Sequence, residues 1–205
     1  MLLILFAFLL FSASGCVTTH ISLPPPDPSL PRLERTAERA LSLRVSPPKT
    51  PLKLGHQYLG VVVPFGSIYL TEPTRAVEDA LRLELALAGI RAVSAGDAMG
   101  LPTVTATLAA ASVTAFDLIV TRRVHALAVL TVVAQRADRT FPPLSFEARG
   151  ESAAFERFGF APELRTAFGE ALRSAAGDAV MALQSAGAFS YHDAHGAVSQ
   201  AAGSP

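Results

Sequence analysis

The chain has 205 residues, half of them hydrophobic, and its 17 basic and 17 acidic residues give a formal net charge of zero. Because no block of like charge occurs, the composition disfavours nucleic acid and other highly charged partners. A single cysteine excludes both a disulfide framework and a thiolate metal site.

The N-terminal segment has the pattern of an export signal. Residues 2–11 (LLILFAFLLF) are all apolar, and the small residues 12–15 (SASG) separate them from Cys16. A membrane-spanning helix needs about 20 apolar residues, which is about twice the length of this run. The pattern therefore predicts a signal peptide over residues 1–15.

The residues around the cysteine predict a lipid anchor. Ala13-Ser14-Gly15-Cys16 resembles the lipobox of bacterial lipoproteins, in which the thiol is alkylated with diacylglycerol and the signal is cut just before the cysteine. The resemblance implies that Cys16 carries palmitate-type acyl chains, and two or more chains anchor a protein stably. Val17, in place of the aspartate that retains enteric lipoproteins at the inner membrane, favours the outer membrane. An uncleaved apolar N-terminus with a buried cysteine is the alternative.

The next segment is predicted to be extended. Residues 17–35 contain five prolines, which fix φ and remove backbone donors. Residues 16–40 are therefore predicted to form a tether that begins at the lipidated cysteine and holds the domain off the bilayer. Residues 41–45 alternate apolar and polar side chains before two prolines, which predicts a short edge strand.

The first half of the domain is predicted as a strand followed by a helix. Residues 58–65 (YLGVVVPF) form an apolar, β-branched run that is typical of a strand covered on both faces. Thr71 is predicted to cap a helix whose apolar stripe includes Val77, Leu81 and Leu85. Gly89 is predicted to end this helix in a left-handed conformation.

The second half is predicted as an antiparallel meander followed by a helix. After a short strand over residues 91–94, strands are predicted at 103–116, 122–135 and 146–152, with one face of the meander exposed to water. Pro162 begins the last helix, which has an alanine-rich apolar stripe, and Gly187 ends it. Residues 188–205 are predicted to be a flexible tail.

These elements predict a single α+β domain over residues 41–187. Its expected architecture is an antiparallel or mixed sheet of about four to five strands with two helices packed on one face. The unit from YLGVVVPF to LRLELALAGI, the meander and the closing helix ELRTAFGEALRSAAGDAVMAL resemble the YajG-type lipoproteins over residues 41–185. These are small outer-membrane lipoproteins of bacteria without established chemistry. Related plans occur in accessory lipoproteins of ABC-type lipid transporters.

No motif for catalysis, a cofactor or a metal is found. The sequence contains no nucleophile elbow, phosphate-binding loop or dinucleotide fingerprint. Of the five histidines only His192 and His195 have ligand spacing, and they fall in the predicted tail without further ligands. We therefore expect a protein that is not an enzyme and has no catalytic residue, no metal and no cofactor.

Three charged residues are candidates for contact with a partner. Glu84 interrupts the apolar stripe of the first helix, and such exceptions to a local pattern concentrate at functional sites. Its alternative is a position at the edge of the stripe, where the carboxylate reaches water or Arg91. Arg122 and Arg123 begin the second meander strand, where they face a partner or protect a sheet edge against association.

The sequence thus predicts a lipid-anchored, non-enzymatic lipoprotein of the bacterial cell envelope, on the periplasmic side of the outer membrane. Its expected partners are the membrane, through the anchor, and an envelope protein that the domain binds or scaffolds. The alternative is an accessory subunit of an envelope lipid transporter that carries an apolar ligand between helices and sheet. Purification without added lipid tests this alternative, because the absence of copurifying lipid beyond the anchor would count against transport.

Overall fold

The computed structural model describes residues 17–24, 27–48, 52–59, 63–93, 100–118, 121–137, 142–156 and 162–189. Cys16, His192 and His195 lie outside these residues. The described part contains eight strands and three helices. In chain order they are β1 (Val17–Ile21), α1 (Leu30–Thr36), β2 (Arg39–Ser46), β3 (Leu52–Leu59), β4 (Val63–Leu70), α2 (Pro73–Leu87), β5 (Ile90–Val93), β6 (Thr103–Leu118), β7 (Thr121–Gln135), β8 (Leu144–Glu156) and α3 (Pro162–Ser185).

The predicted sheet of four to five strands with two helices is wrong, although the α+β class holds. One additional strand, β1, lies inside the predicted tether, and so does the additional helix α1. The predicted strand over residues 58–65 is divided between β3 and β4, which pair antiparallel. A continuous apolar run predicts burial, but it does not show where the chain reverses.

The eight strands form one mixed sheet around the long strand β6. On one edge of β6, β2 pairs in parallel with the first half and β3 pairs in parallel with the second half. The outer strands beyond them are β5 next to β2, and β4 followed by β1 next to β3. The other edge of β6 carries the predicted meander, which is confirmed: β6 pairs antiparallel with β7, and β7 with β8. The predicted strand at residues 41–45 exists as part of β2, but it lies between β6 and β5 and not at an edge.

Helix α2 follows β4 and covers the sheet near β2 and β5. The predicted apolar stripe is buried, with Val77, Leu81 and Leu85 each no more than 1% exposed. Gly89 has a φ of 74° and its amide donates to the carbonyl of Ala86, so the predicted helix end is confirmed. The predicted cap is wrong, because Glu72 takes the N-cap position without a side-chain bond.

Helix α3 lies beside α2 on the same face and packs on β7 and β8. Its predicted stripe is confirmed, since all seven of its residues are fully buried: Leu164, Phe168, Ala171, Leu172, Ala175, Ala179 and Leu183. The alanines bring the helix backbone close to β8, where Gly150 leaves room for it. The space between helix and sheet is therefore filled by these side chains. In the described part of the chain, no helix is long and apolar enough to cross a membrane.

Candidate functional site

The three residues predicted to face a partner do not form one cluster. Glu84 lies on α2, whereas Arg122 and Arg123 begin β7. Since successive side chains of a strand point to opposite faces, the two arginines are separated by the sheet. The side chain of Arg122 is only 12% exposed, whereas Arg123 is exposed to solvent.

Arg122 belongs to an ion-pair network at one end of the sheet. Its guanidinium forms two hydrogen bonds to the carboxylate of Asp117, one from Nε and one of 3.0 Å from Nη2. Nη1 lies 3.9 Å from Oε2 of Glu163, whose side chain is 3% exposed and whose Oε2 has no hydrogen-bond partner among the described residues. The network joins the end of β6 and the start of β7 to the first turn of α3. Contact between Arg122 and a partner protein stays a prediction.

Glu84 connects the two long helices. Its Oε1 accepts a hydrogen bond of 2.8 Å from Nε of Arg173 on α3, and its side chain is 18% exposed. A Cβ atom at Gly177 would lie 3.7 Å from Oε2 of Glu84, so the carboxylate rests against a glycine surface of α3. The residue that interrupts the stripe therefore ties α2 to α3, and its partner in the structure is Arg173.

A groove of about 430 Å³ runs between α2 and α3 on the outer side of the helix layer. Its apolar lining includes Leu23, Ala76, Ala80, Leu83 and Leu172. The charged lining has both signs, and consists of Asp27, Asp79, Arg165, Glu170 and Arg173. This shape and composition suit a short apolar segment whose ends are polar.

Two carboxylates of the groove differ in their electrostatic environment. Burial raises the pKa of Asp79 above its ordinary value, and the neighbouring Arg75 offsets this only in part. The pKa of Asp27 is lowered, because the hydroxyl and the amide of Ser29 both donate hydrogen bonds to its carboxylate. The surroundings of Asp79 therefore favour its neutral form, and those of Asp27 favour its charged form.

Asp79→Asn should stabilise the protein at neutral pH. The raised pKa means that protonation of Asp79 favours the folded state, so this stability is present below the ordinary value of 3.8 and is lost as the pH rises through the folded pKa. We expect a higher melting temperature for the variant at pH 7, with a gain below about 1 kcal/mol because solvent screens this partly exposed group. The difference should shrink towards pH 3. Glu147→Gln, on the exposed face of β8, is the control for removal of a carboxylate. If Asp79→Asn were no more stable than the natural chain at pH 7, the expectation would be contradicted.

The opposite face of the sheet carries aromatic side chains at the end where β1 begins. The rings of Tyr58 and Phe116 stack there with their centroids 5.4 Å apart. His20 stacks on Tyr69 at 5.6 Å near the other end of β1. A shallow trough of about 510 Å³ lies next to the first of these pairs, on the meander. Its lining includes the polar residues Ser112, Thr114, His125 and Glu151 beside Ala126, Leu127 and Ala153. The described residues contain no group of three or more His, Cys, Asp or Glu side chains that could hold a metal ion.

Sequence reasoning missed most of the residues that these sites use. Asp117, Glu163 and Arg173 are the partners of the candidates that it singled out, and no local pattern marks them. The stacking of Tyr58 on Phe116 depends on the register between β3 and β6. The alternation of β7 was the one available signal, because it separates Arg122 from Arg123 without any knowledge of the fold.

No protein-family model matches the sequence, and a comparison with curated proteins gives no match. Among solved structures, the chain is similar to the rare lipoprotein B from Shewanella oneidensis, with 13% identity, a TM-score of 0.42, and coverage of 72% of this chain and 96% of that one. It is also similar to protein XCC0632 from Xanthomonas campestris, of the DUF330 family, with 10% identity, a TM-score of 0.46, and coverage of 83% and 96%. A minor lipoprotein from Acinetobacter baumannii gives 13% identity, a TM-score of 0.38, and coverage of 72% and 91%.

Two of these three structures are thus named as bacterial lipoproteins. Their identities and TM-scores are too low to carry an argument about the function of this chain. The relation to the YajG-type lipoproteins stays a prediction.

Proposed function

We propose that the chain is a lipoprotein of the bacterial cell envelope, held to the membrane by acyl chains on Cys16. The observation that supports this most directly is the order of residues at the N-terminus, where an apolar run over residues 2–11 and small residues precede the only cysteine. Val17 after the cysteine favours the outer membrane by resemblance to enteric lipoproteins.

The position of the cysteine relative to the fold agrees with this proposal. Val17 is the first residue of β1, so a chain cut before Cys16 starts one residue ahead of the sheet. A lipidated residue at that position is attached directly to a folded strand. The anchor then needs no further segment to connect it to the domain.

The domain itself is proposed to act by binding and not by catalysis. Its candidate surfaces are the groove between α2 and α3, which has an apolar lining and a charged rim, and the exposed face of the meander. Grooves of this kind accept an apolar segment of a partner and fix its ends through polar contacts. A role in lipid transport would place the ligand in the same groove, since side chains of α3 fill the interface between helix and sheet.

Intact mass of the protein extracted from membranes tests the anchor. We expect the mass of residues 16–205 plus acyl groups for the natural chain, because processing removes residues 1–15 after the thiol has been alkylated. Cys16→Ala should carry no acyl group and retain the signal. Ser14→Ala is the matched control, since it keeps a small residue before the cysteine and should be processed and acylated normally.

A natural chain that retains Met1, or one that begins at residue 16 without acyl groups, would refute the lipid anchor. If acylation is lost in Cys16→Ala but kept in Ser14→Ala, the modification depends on the thiol of Cys16 and is not lost through any substitution in this segment.

A further inference from the structure

The register of the sheet fixes the point at which the lipid anchor enters the domain. Val17 pairs with Gly66 on β4, and the same row continues across β3, β6, β7 and β8. The row consists of Val17, Gly66, Gln57, Ala115, Val124 and Ala154. Consecutive Cα atoms are about 3.8 Å apart, so the residue before Val17 is attached just beyond this row.

The next row beyond the start of β1 contains aromatic and basic residues. Pro64 pairs with Tyr58, Tyr58 with Phe116, and Phe116 with Arg123. Neighbouring strands are about 4.8 Å apart, so β3 lies only about 10 Å from β1 across the sheet. Pro64 and Arg123 are exposed, and the stacked rings of Tyr58 and Phe116 are half-buried. We refer to Tyr58, Pro64, Phe116 and Arg123 as the anchor end.

Two exposed arginines lie at or near the anchor end. Arg122 is not one of them, because its guanidinium is engaged by two carboxylates, Asp117 and Glu163. Arg123 and Arg165, in the first turn of α3, are exposed and make no ion pair with the side chains that the structure describes. Exposed arginines together with aromatic rings are the composition that proteins present to the interfacial region of a bilayer.

The sequences of the connections differ between the two ends of the sheet. The connections that join β3 to β4 and β6 to β7, residues 60–62 (GVV) and 119–120 (IV), contain no charged residue. The connection from β7 to β8, at the opposite end, begins with residues 136–139 (RADR). The sequences of the two strand connections nearest the anchor therefore carry no charge, whereas Asp117, Arg122 and Arg123 lie on the strands next to them.

We propose that the anchor end lies against the leaflet that holds the acyl chains, with the rings of Tyr58 and Phe116 at headgroup depth and Arg123 and Arg165 next to lipid phosphates. This inference rests on the proposed lipidation of Cys16. It replaces the predicted tether, because β1 begins directly after the anchor and pairs with β4, so no free spacer separates the domain from the bilayer. The far end of the meander remains accessible to the periplasm.

Single-tryptophan variants of the acylated protein test the orientation, since the natural chain contains no tryptophan. Tyr58→Trp places the fluorophore at the anchor end. Leu144→Trp is the matched control, because Leu144 is 39% exposed and begins β8 at the opposite end of the sheet. Each variant is reconstituted in phosphatidylcholine and phosphatidylglycerol vesicles, with and without bromine on the acyl chains. Pro64→Trp provides a second probe of the same row that leaves the aromatic stack intact.

We expect brominated lipid to quench the tryptophan at position 58 or 64 several-fold more strongly than the tryptophan at position 144, with a blue-shifted emission at the anchor end alone. Equally low quenching of all three, in protein whose mass confirms acylation, would overturn the inference while the proposed function stands; the anchor end would then be free for a protein partner. Stronger quenching at position 144 would overturn it as well. A mass without acyl groups would instead refute the proposed function.

Discussion

Replacing Gly150 with alanine should destabilise the domain by about 3 kcal/mol or more, which corresponds to a loss of roughly 6 to 12 °C in melting temperature for a domain of this size. A Cβ atom at this position on β8 would overlap the carbonyl oxygen of Ala171 and the amide nitrogen of Ala175, and would lie 2.9 Å from Cβ of Ser174. The first two atoms belong to the backbone of α3, so no side-chain rotation relieves the overlap. The helix has to move away from the sheet, and contacts along its fully buried stripe are lost.

Gly177→Ala is the matched control for this prediction. Gly177 lies on the same helix, and a Cβ atom there meets only Glu84 at 3.7 Å, which is an ordinary contact. Alanine is favoured over glycine inside a helix by up to about 1 kcal/mol, so this variant should be as stable as the natural chain or slightly more stable. Thermal unfolding followed by circular dichroism measures both. If Gly150→Ala and Gly177→Ala melted together, the close approach of α3 to β8 would be refuted.

Arg122→Met should cost about 3 kcal/mol of stability. The substitution leaves Glu163, whose side chain is 3% exposed, without its only cation among the described residues, and it also removes both hydrogen bonds to Asp117. Breaking a buried ion pair by removal of one partner costs about 3 to 5 kcal/mol, because a charge remains buried without compensation. The lower end of this range applies, since Asp117 is 21% exposed and stays partly hydrated.

Two further variants test whether the loss of stability comes from the ion pairs of Arg122 and not from any substitution at the start of β7. Arg123→Met changes the neighbouring exposed arginine and should alter stability by no more than about 0.5 kcal/mol. The double variant Arg122→Met with Glu163→Gln should recover most of the loss, because the buried charge is then removed as well. Equal effects of Arg122→Met and Arg123→Met on denaturant unfolding would show that the pairing with Glu163 contributes nothing.

The elements with a strong local period were predictable from the sequence. The stripes of α2 and α3 repeat at helical spacing and remain buried as expected, and the alternation of β6, β7 and β8 predicted the meander with its exposed face. Glycine and proline marked the ends of these elements correctly at Gly89 and Pro162. Local chemistry alone determines these features.

The strand β1, which the sequence did not predict, depends on a partner that is distant in the sequence. Val17–Ile21 has only five residues and is followed by prolines, so an extended tether and a strand have the same local pattern. Only pairing with β4, through which Val17 meets Gly66, makes this segment a strand. Distance in the sequence limits the prediction of the candidate site as well. Glu84 stands out because it interrupts an apolar stripe, but its partner Arg173 lies 89 residues away.

The parallel pairing of β1 with β4 also sets an order of events during synthesis. β1 is made first, but its partner residues follow about 50 positions later. At the usual rate of about 5 to 20 residues per second, the ribosome needs about 3 to 10 s to supply them. For that interval β1 has nothing to pair with, and β4, once formed, exposes its outer edge until β1 arrives. The first strand to be made therefore has to wait for its partner, and a chaperone that holds residues 17–21 would leave the outer edge of β4 open without touching the meander.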